Sequence, residues 1–250
     1  MKKISVIMVV LGCLILSSIA ADKSIYPEGK PEEKNQAREY PVKSTSSADG
    51  TMLRDKTLVA WVRLADLVQT GSGVLAIQDG DEFDAITFGE RAAARWMAGS
   101  HNFSRTQSPA EQQSLAQEAA TPDQWLQVAV VYRGKQIEIW RDGHRYAAYE
   151  AANQQTYPAK SDLYLGLRCL VAQQHGYLKG AIDEARIYDT ALDGQALAQL
   201  KPGVLTAPKP LGWWTFDGGS VKDGMGHYPD ARLIGTARIK NGALVLDGQG

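Results

Sequence analysis

Residues Trp125–Glu150 read WLQVAVVYRGKQIEIWRDGHRYAAYE. Three runs rich in β-branched and aromatic residues, WLQVAVVY, QIEIW and RYAAYE, are cut by Arg133-Gly134-Lys135 and by Asp142-Gly143-His144. Glycine supplies the positive φ that tight hairpin turns need, and Asp-Gly between alternating hydrophobic runs is a strong hairpin signal. The stretch therefore predicts a three-stranded antiparallel meander. Within QIEIW, Ile137 and Ile139 alternate with Glu138 and Trp140, so Trp140 goes to the face opposite the isoleucines.

The same pattern extends outward on both sides. Strands are expected at TLVAWVRL (57 to 64), VLAIQ (74 to 78), DAITFGE (84 to 90), RWMAG (95 to 99), LYLGLR (163 to 168) and GAIDEARIY (180 to 188), with Asp79-Gly80 as a turn. Many short strands at regular spacing predict an all-β sandwich or barrel. In GAIDEARIY, Ile182 and Ile187 are five residues apart, and a regular strand would send them to opposite faces. A β-bulge, or burial on both faces, must reconcile them. Two helical signals interrupt the strands. Pro109 to Ala120 is rich in Ala, Glu and Gln but has few apolar anchors and reads as a surface helix or a mobile loop, whereas Asp193 to Leu200 has a capping aspartate and a Lys201-Pro202-Gly203 stop.

The ends of the chain are different in kind. Lys2 and Lys3 precede an apolar run from Ile4 to Leu16, and Ser18 and Ala20 are small residues before Ala21, so residues 1–20 read as a signal peptide. Export to the periplasm, cell surface or exterior follows. The apolar run is short for a spanning helix, which argues against a membrane anchor after cleavage. Residues 21–50 are poor in large apolar side chains and read as a disordered linker. Net charge is −1 over 250 residues with no Lys/Arg block, which excludes the electrostatic footprint of a nucleic-acid partner. Cys169 is the only cysteine after the leader and reads as a buried small hydrophobe.

The Trp-strand-turn-strand-Asp-Gly-strand unit of 125–150, the closing GAIDEARIYDTALDGQALAQL and the early AWV of TLVAWVRL resemble laminin-G-like domains of the concanavalin A-like lectin/glucanase type. The resemblance spans roughly Thr57 to Leu200. It implies a two-sheet antiparallel jelly-roll sandwich, used for sugar binding, protein contacts and, in some branches, glycan hydrolysis. The segment 84–107 and the WWTFDGG and LVLDG motifs also resemble the accessory region that precedes the catalytic domain of exported levanase/invertase-type glycoside hydrolases. A polysaccharide, with fructan among the candidates, is the implied partner.

In this family the W-x-F-D and L-x-L-D-G strands usually open the domain. Here they follow it, as Trp214-Thr215-Phe216-Asp217 and Leu244-Val245-Leu246-Asp247-Gly248. A sandwich at 51–202 without them would have open edges. The expectation is a circularly permuted domain in which 211–250, after a connector at 203–210, completes the same sandwich; the alternative is the truncated start of a second domain.

No residue is assigned to catalysis. Glu82-Phe83-Asp84 resembles the acid strand of laminarinase-like enzymes, but Thr87 stands where the third acid would be, and a retaining glycosidase needs two carboxyls in defined roles. Asp79, Asp81 and Asp84 are weak calcium candidates, because calcium takes oxygen ligands from Asp-rich loops. Asp183 and Glu184 belong to the closing strand. Trp61 and Trp125 read as core. Trp96, His101, Arg105 and Trp140 are the candidate ligand-binding residues, combining indole faces with polar groups. The expected function is a non-catalytic carbohydrate-binding accessory module. The alternatives are a protein-interaction or structural sandwich, and a fragment of a fructan hydrolase whose catalytic domain lies elsewhere.

Overall fold

In a computed structural model of the chain, residues 6–8, 52–170 and 176–249 are described. The leader and linker expected at 1–50 otherwise lie outside them. The meander is present as β5 (Leu126–Arg133), β6 (Gln136–Arg141) and β7 (His144–Glu150). Asp142 and Gly143 both take positive φ, 49° and 72°, as a two-residue hairpin turn matching strand twist requires. Preceding them are β1 (Lys56–Leu64), β2 (Ser72–Asp79), β3 (Glu82–Phe88) and β4 (Trp96–Ser100). Following are β8 (Asp162–Leu165), β9 (Lys179–Tyr188), β10 (Gly212–Trp214), β11 (Arg238–Lys240) and β12 (Ala243–Asp247).

Two sheets face each other. One runs β8-β2-β3-β4, with residues 6–8 and Arg232–Leu233 beyond β8. The other runs β11-β12-β9-β1-β5-β6-β7, with β10 also on β9. From residue 52 onward every strand pair is antiparallel. Leu58, Ala60, Val62 and Leu64 of β1 meet Val74, Leu75 and Ile77 of β2 and Ile86 and Phe88 of β3 in one buried core. The β1 and β3 residues alternate along their strands, as a face packed on a second sheet demands, and a register shift between Gly73 and Leu75 brings the adjacent Val74 and Leu75 both into the core.

The 211–250 tail is woven into this sandwich. β9 pairs with β1 along its length; its other edge takes β12 at residues 179–182 and β10 at 185–187. Trp214, Phe216, Leu244 and Leu246 are buried in the core shared by both sheets. The Asp223 carboxylate accepts the backbone N–H groups of Trp213, Met225, His227 and Tyr228, which ties the intervening loop to β10. The tension in GAIDEARIY resolves as a bulge: β9 shifts register against β1 between Ile182 and Glu184, so Ile182 and Ile187 both enter the core.

Both expected helices form, shortened. Pro109–Ser114 is α1, closed by a capping box between Ser108 and Glu111, and Gly194–Gln199 is α2, capped by Asp193. α2 matters for function because it covers part of the sheet's outer face. Leu192, Leu197 and Leu200 pack there on Val59, Trp61, Ala129, Val131 and Tyr188. Cys169 is buried with Phe83, Tyr164 and Leu167.

Candidate functional site

The residues singled out for ligand binding do not form one open patch. Trp96 is wholly buried, its ring 4.8 Å from that of Phe88 and its Nε1 donating to Glu118 at 2.9 Å. Arg105 is also buried. Its guanidinium bonds Asp84, Glu82 and the Phe83 carbonyl, which holds its pKa above the usual arginine value: burial acts against the charge and Asp84 outweighs it. His101 is half-buried beside Asn102, with a ring nitrogen 2.8 Å from the Asn102 amide nitrogen. Trp140 does face outward, but it packs against the start of α2; a Cβ on Gly194 would stand 2.4 Å from its ring. A side chain at 194 would therefore collide with the indole, and the cover over Trp140 is tight.

The acids have structural partners too. Asp84 is fully buried between Lys56 Nζ at 2.9 Å and Arg105 Nε at 3.0 Å, so it is a counter-ion rather than a calcium ligand. Asp79 and Asp81 remain on the exposed turn. Among the described residues no group of three His, Cys, Asp or Glu is placed to hold a metal. Glu184 is buried and accepts from Arg186 and from the Gly203 N–H at 2.6 Å. Arg186 lies between two indoles, 4.9 Å from the Trp61 ring and 5.8 Å from the Trp213 ring. This end of the outer face is closed by α2 and the 200–205 segment.

The other end is open, and it carries a tryptophan that looked like core. Trp125 is 38% exposed, with the Arg63 guanidinium carbon 5.0 Å from its ring centroid. Its position follows from register. Val62 is paired with Leu126, so Trp125 falls beside Arg63, the next outward residue after Trp61. Arg63 pairs with Ala181, Ala181 with Val245, and Val245 with Arg238. Directly opposed residues share a face, so Trp125, Arg63, Ala181, Val245 and Arg238 form one row across five strands. At ordinary strand spacing the row is roughly 19 Å long.

Its profile suits an extended ligand. The small, buried Ala181 makes a floor between the half-buried Arg63 and Val245, and Arg238 is exposed at the far end. The bulge residue Asp183 is half-buried next to this floor. Burial, with help from Glu184 and Asp217, raises its pKa above the ordinary aspartate value. The row thus combines an aromatic face, two guanidiniums and a carboxyl on a rigid sheet, groups that stack on sugar rings and hydrogen-bond to ring hydroxyls.

Residues 40–198 match the family described as the concanavalin A-like lectin/glucanases superfamily, Laminin_G_3. The chain belongs to that superfamily. No curated protein matches it in sequence. Among solved structures, a Bacteroides ovatus protein assigned to carbohydrate binding aligns with a TM-score of 0.55 at 16% identity. The alignment covers 72% of this chain and 52% of that one, so the chain spans about half of its length. Domain 4 of an extracellular arabinanase from Geobacillus stearothermophilus, in complex with arabinotriose, aligns at 0.44 and 16% identity, covering 58% of this chain and 65% of that one. The Ruminococcus gnavus sialidase module bound to α2,3-sialyllactose aligns at 0.43 and 15%, covering 58% and 81%. At these identities the likeness concerns the lectin/glucanase fold alone. No described helix of this superfamily member is long and apolar enough to cross a membrane.

Proposed function

We propose that this chain is a non-catalytic glycan-binding module of an exported protein, and that the Trp125–Arg63–Ala181–Val245–Arg238 row is its binding platform. The observation that carries this is Trp125: a large indole left 38% exposed, with a guanidinium held against it, beyond the part of the outer face that α2 covers. Exposing an indole forfeits burial worth about 2 kcal/mol or more, a cost that sugar stacking would offset. The non-catalytic part is supported by Glu82 and Asp84, which are engaged by Arg105 and Lys56 instead of facing a substrate. The match to the Bacteroides ovatus fold agrees with a carbohydrate role.

Affinity electrophoresis of the full chain through gels carrying levan, inulin, arabinan, laminarin or xylan tests the proposal. Retardation by at least one polysaccharide, lost in Trp125→Ala and kept in Trp140→Phe, is expected. No retardation by any of them, or equal retardation of Trp125→Ala, overturns it and favours a protein-interaction sandwich. Levan and inulin are included for the fructan alternative. Export through residues 1–20 predicts an exported product whose intact mass begins at Ala21.

A further inference from the structure

We propose that a groove at the same end of the sandwich is a second subsite, holding one uncharged sugar ring of a glycan laid on the platform; its role rests on the platform proposed above. The groove encloses about 460 Å³, within the range of small-ligand pockets. It is lined by the β1–β2 loop, by Gly176 and Tyr177, and by the ends of β9 and β12.

The groove and the platform are continuous. Lys179 pairs with Asp247, and both border the groove. They lie two residues along their strands from Ala181 and Val245, the floor of the platform, which is about 7 Å on the same face. A chain of sugars laid along the row thus passes beside the groove, which takes a ring that branches off it along the strand direction.

The wall is preformed. Asp66 accepts from the backbone N–H groups of Val68 and Gln69 and from Lys179 Nζ at 2.9 Å. The Gln69 amide donates to the carbonyls of Asp66 and Lys179 and accepts the Lys179 N–H at 3.0 Å. Six hydrogen bonds hold the loop before any ligand arrives, which lowers the entropy lost on binding. They also set the charge. Lys179 and Asp66 neutralise each other and Asp247 leaves the groove net negative, which disfavours a carboxylate or sulfate, whereas ring hydroxyls both donate and accept.

An independent observation points to a ligand. Ser72 lines the groove and is 1% exposed, yet its Oγ has no hydrogen-bond partner among the described residues. Buried hydroxyls are nearly always partnered, and a serine hydroxyl at the wall of a polar groove can turn about χ1 to meet a group that arrives from outside. A sugar hydroxyl supplies it.

The test is amide chemical-shift mapping of the full chain with millimolar methyl α-D-glucopyranoside, methyl β-D-xylopyranoside, methyl α-L-arabinofuranoside and methyl β-D-fructofuranoside in turn. Saturable shifts at Thr70 and Ser72 with at least one glycoside are expected. Thr70→Trp, which fills the exposed rim, abolishes them, and Ser72→Ala weakens binding about two- to tenfold, the worth of one hydrogen bond. No shift with any glycoside, or shifts that persist in Thr70→Trp, overturns the subsite. Polysaccharide retardation that depends on Trp125 without groove shifts leaves the platform standing and removes the subsite. Groove shifts in a chain whose retardation ignores Trp125 do the reverse.

Discussion

At the scale of single residues, tryptophans of similar sequence setting have opposite fates. Trp96, at the start of β4, is sealed in the core between the sheets with its N–H on Glu118; Trp125 stands open against Arg63. Trp96→Ala should lower unfolding free energy by about 3–5 kcal/mol through the cavity it leaves. Trp125→Ala should lower it by clearly less, about 1–2 kcal/mol, while removing polysaccharide retardation. Urea denaturation of both variants checks the contrast, and equal losses would show that Trp125 is core after all. Ser72 gives a signed prediction in the other direction. If its hydroxyl awaits a ligand, Ser72→Ala should stabilise the free protein by about 1 kcal/mol, because an orphaned buried hydroxyl disappears. Asp84→Asn should destabilise by about 3–5 kcal/mol, since Lys56 and Arg105 lose a buried counter-ion.

At the scale of elements, the 115–124 segment after α1 is latched by one carboxylate. Glu118 accepts from Trp96 Nε1, from Arg141 and from the backbone N–H groups of Ala119 and Ala120. Burial alone would raise its pKa, but the Arg141 and Trp96 bonds outweigh it and the net shift is downward. A lowered folded pKa means that the latch is fully stabilising above the unfolded glutamate value and is lost as pH falls through the folded one. Amide exchange in 115–124 should therefore quicken relative to the β1–β5 pair as pH drops below the ordinary glutamate range, and Glu118→Gln should remove that dependence. The strands themselves were legible because turns and alternation are local: Asp142-Gly143 marked the β6–β7 hairpin, and the spacing of Ile182 and Ile187 called for a bulge or two-sided burial, of which the bulge is found. The site was not. Val59, Trp61, Ala129 and Val131 are buried on the outer face under α2, so these strands are apolar on both sides and periodicity cannot say where the cover stops. It stops between Trp61 and Arg63, and that boundary, set by where 192–200 lands, makes Trp125 a surface residue. Trp96 was equally opaque, because its partner lies 22 residues away.

At the scale of the whole molecule, the last forty residues are structural to the rest. Deleting 211–250 strips β10 and β12 from β9 and removes Trp214, Phe216, Leu244 and Leu246 from the common core. The truncated chain should be insoluble or lack a cooperative thermal transition, whereas the full chain unfolds in one step. A truncated protein that melts cooperatively would show two independent units. The pairing of β10 and β12 with β9 supports our proposal that the domain is circularly permuted, with 211–250 completing the sandwich that 57–200 begins. The consequence of that wiring is kinetic. β9 has one edge that only strands made well after it can close, so during synthesis the ribosome must release residue 247 before the sheet has all its neighbours. Contacts of such long sequence separation slow folding to the millisecond-to-second range, and a nascent chain arrested near residue 210 presents a bare, hydrophobic-flanked β edge that invites capture by a chaperone or by its own siblings.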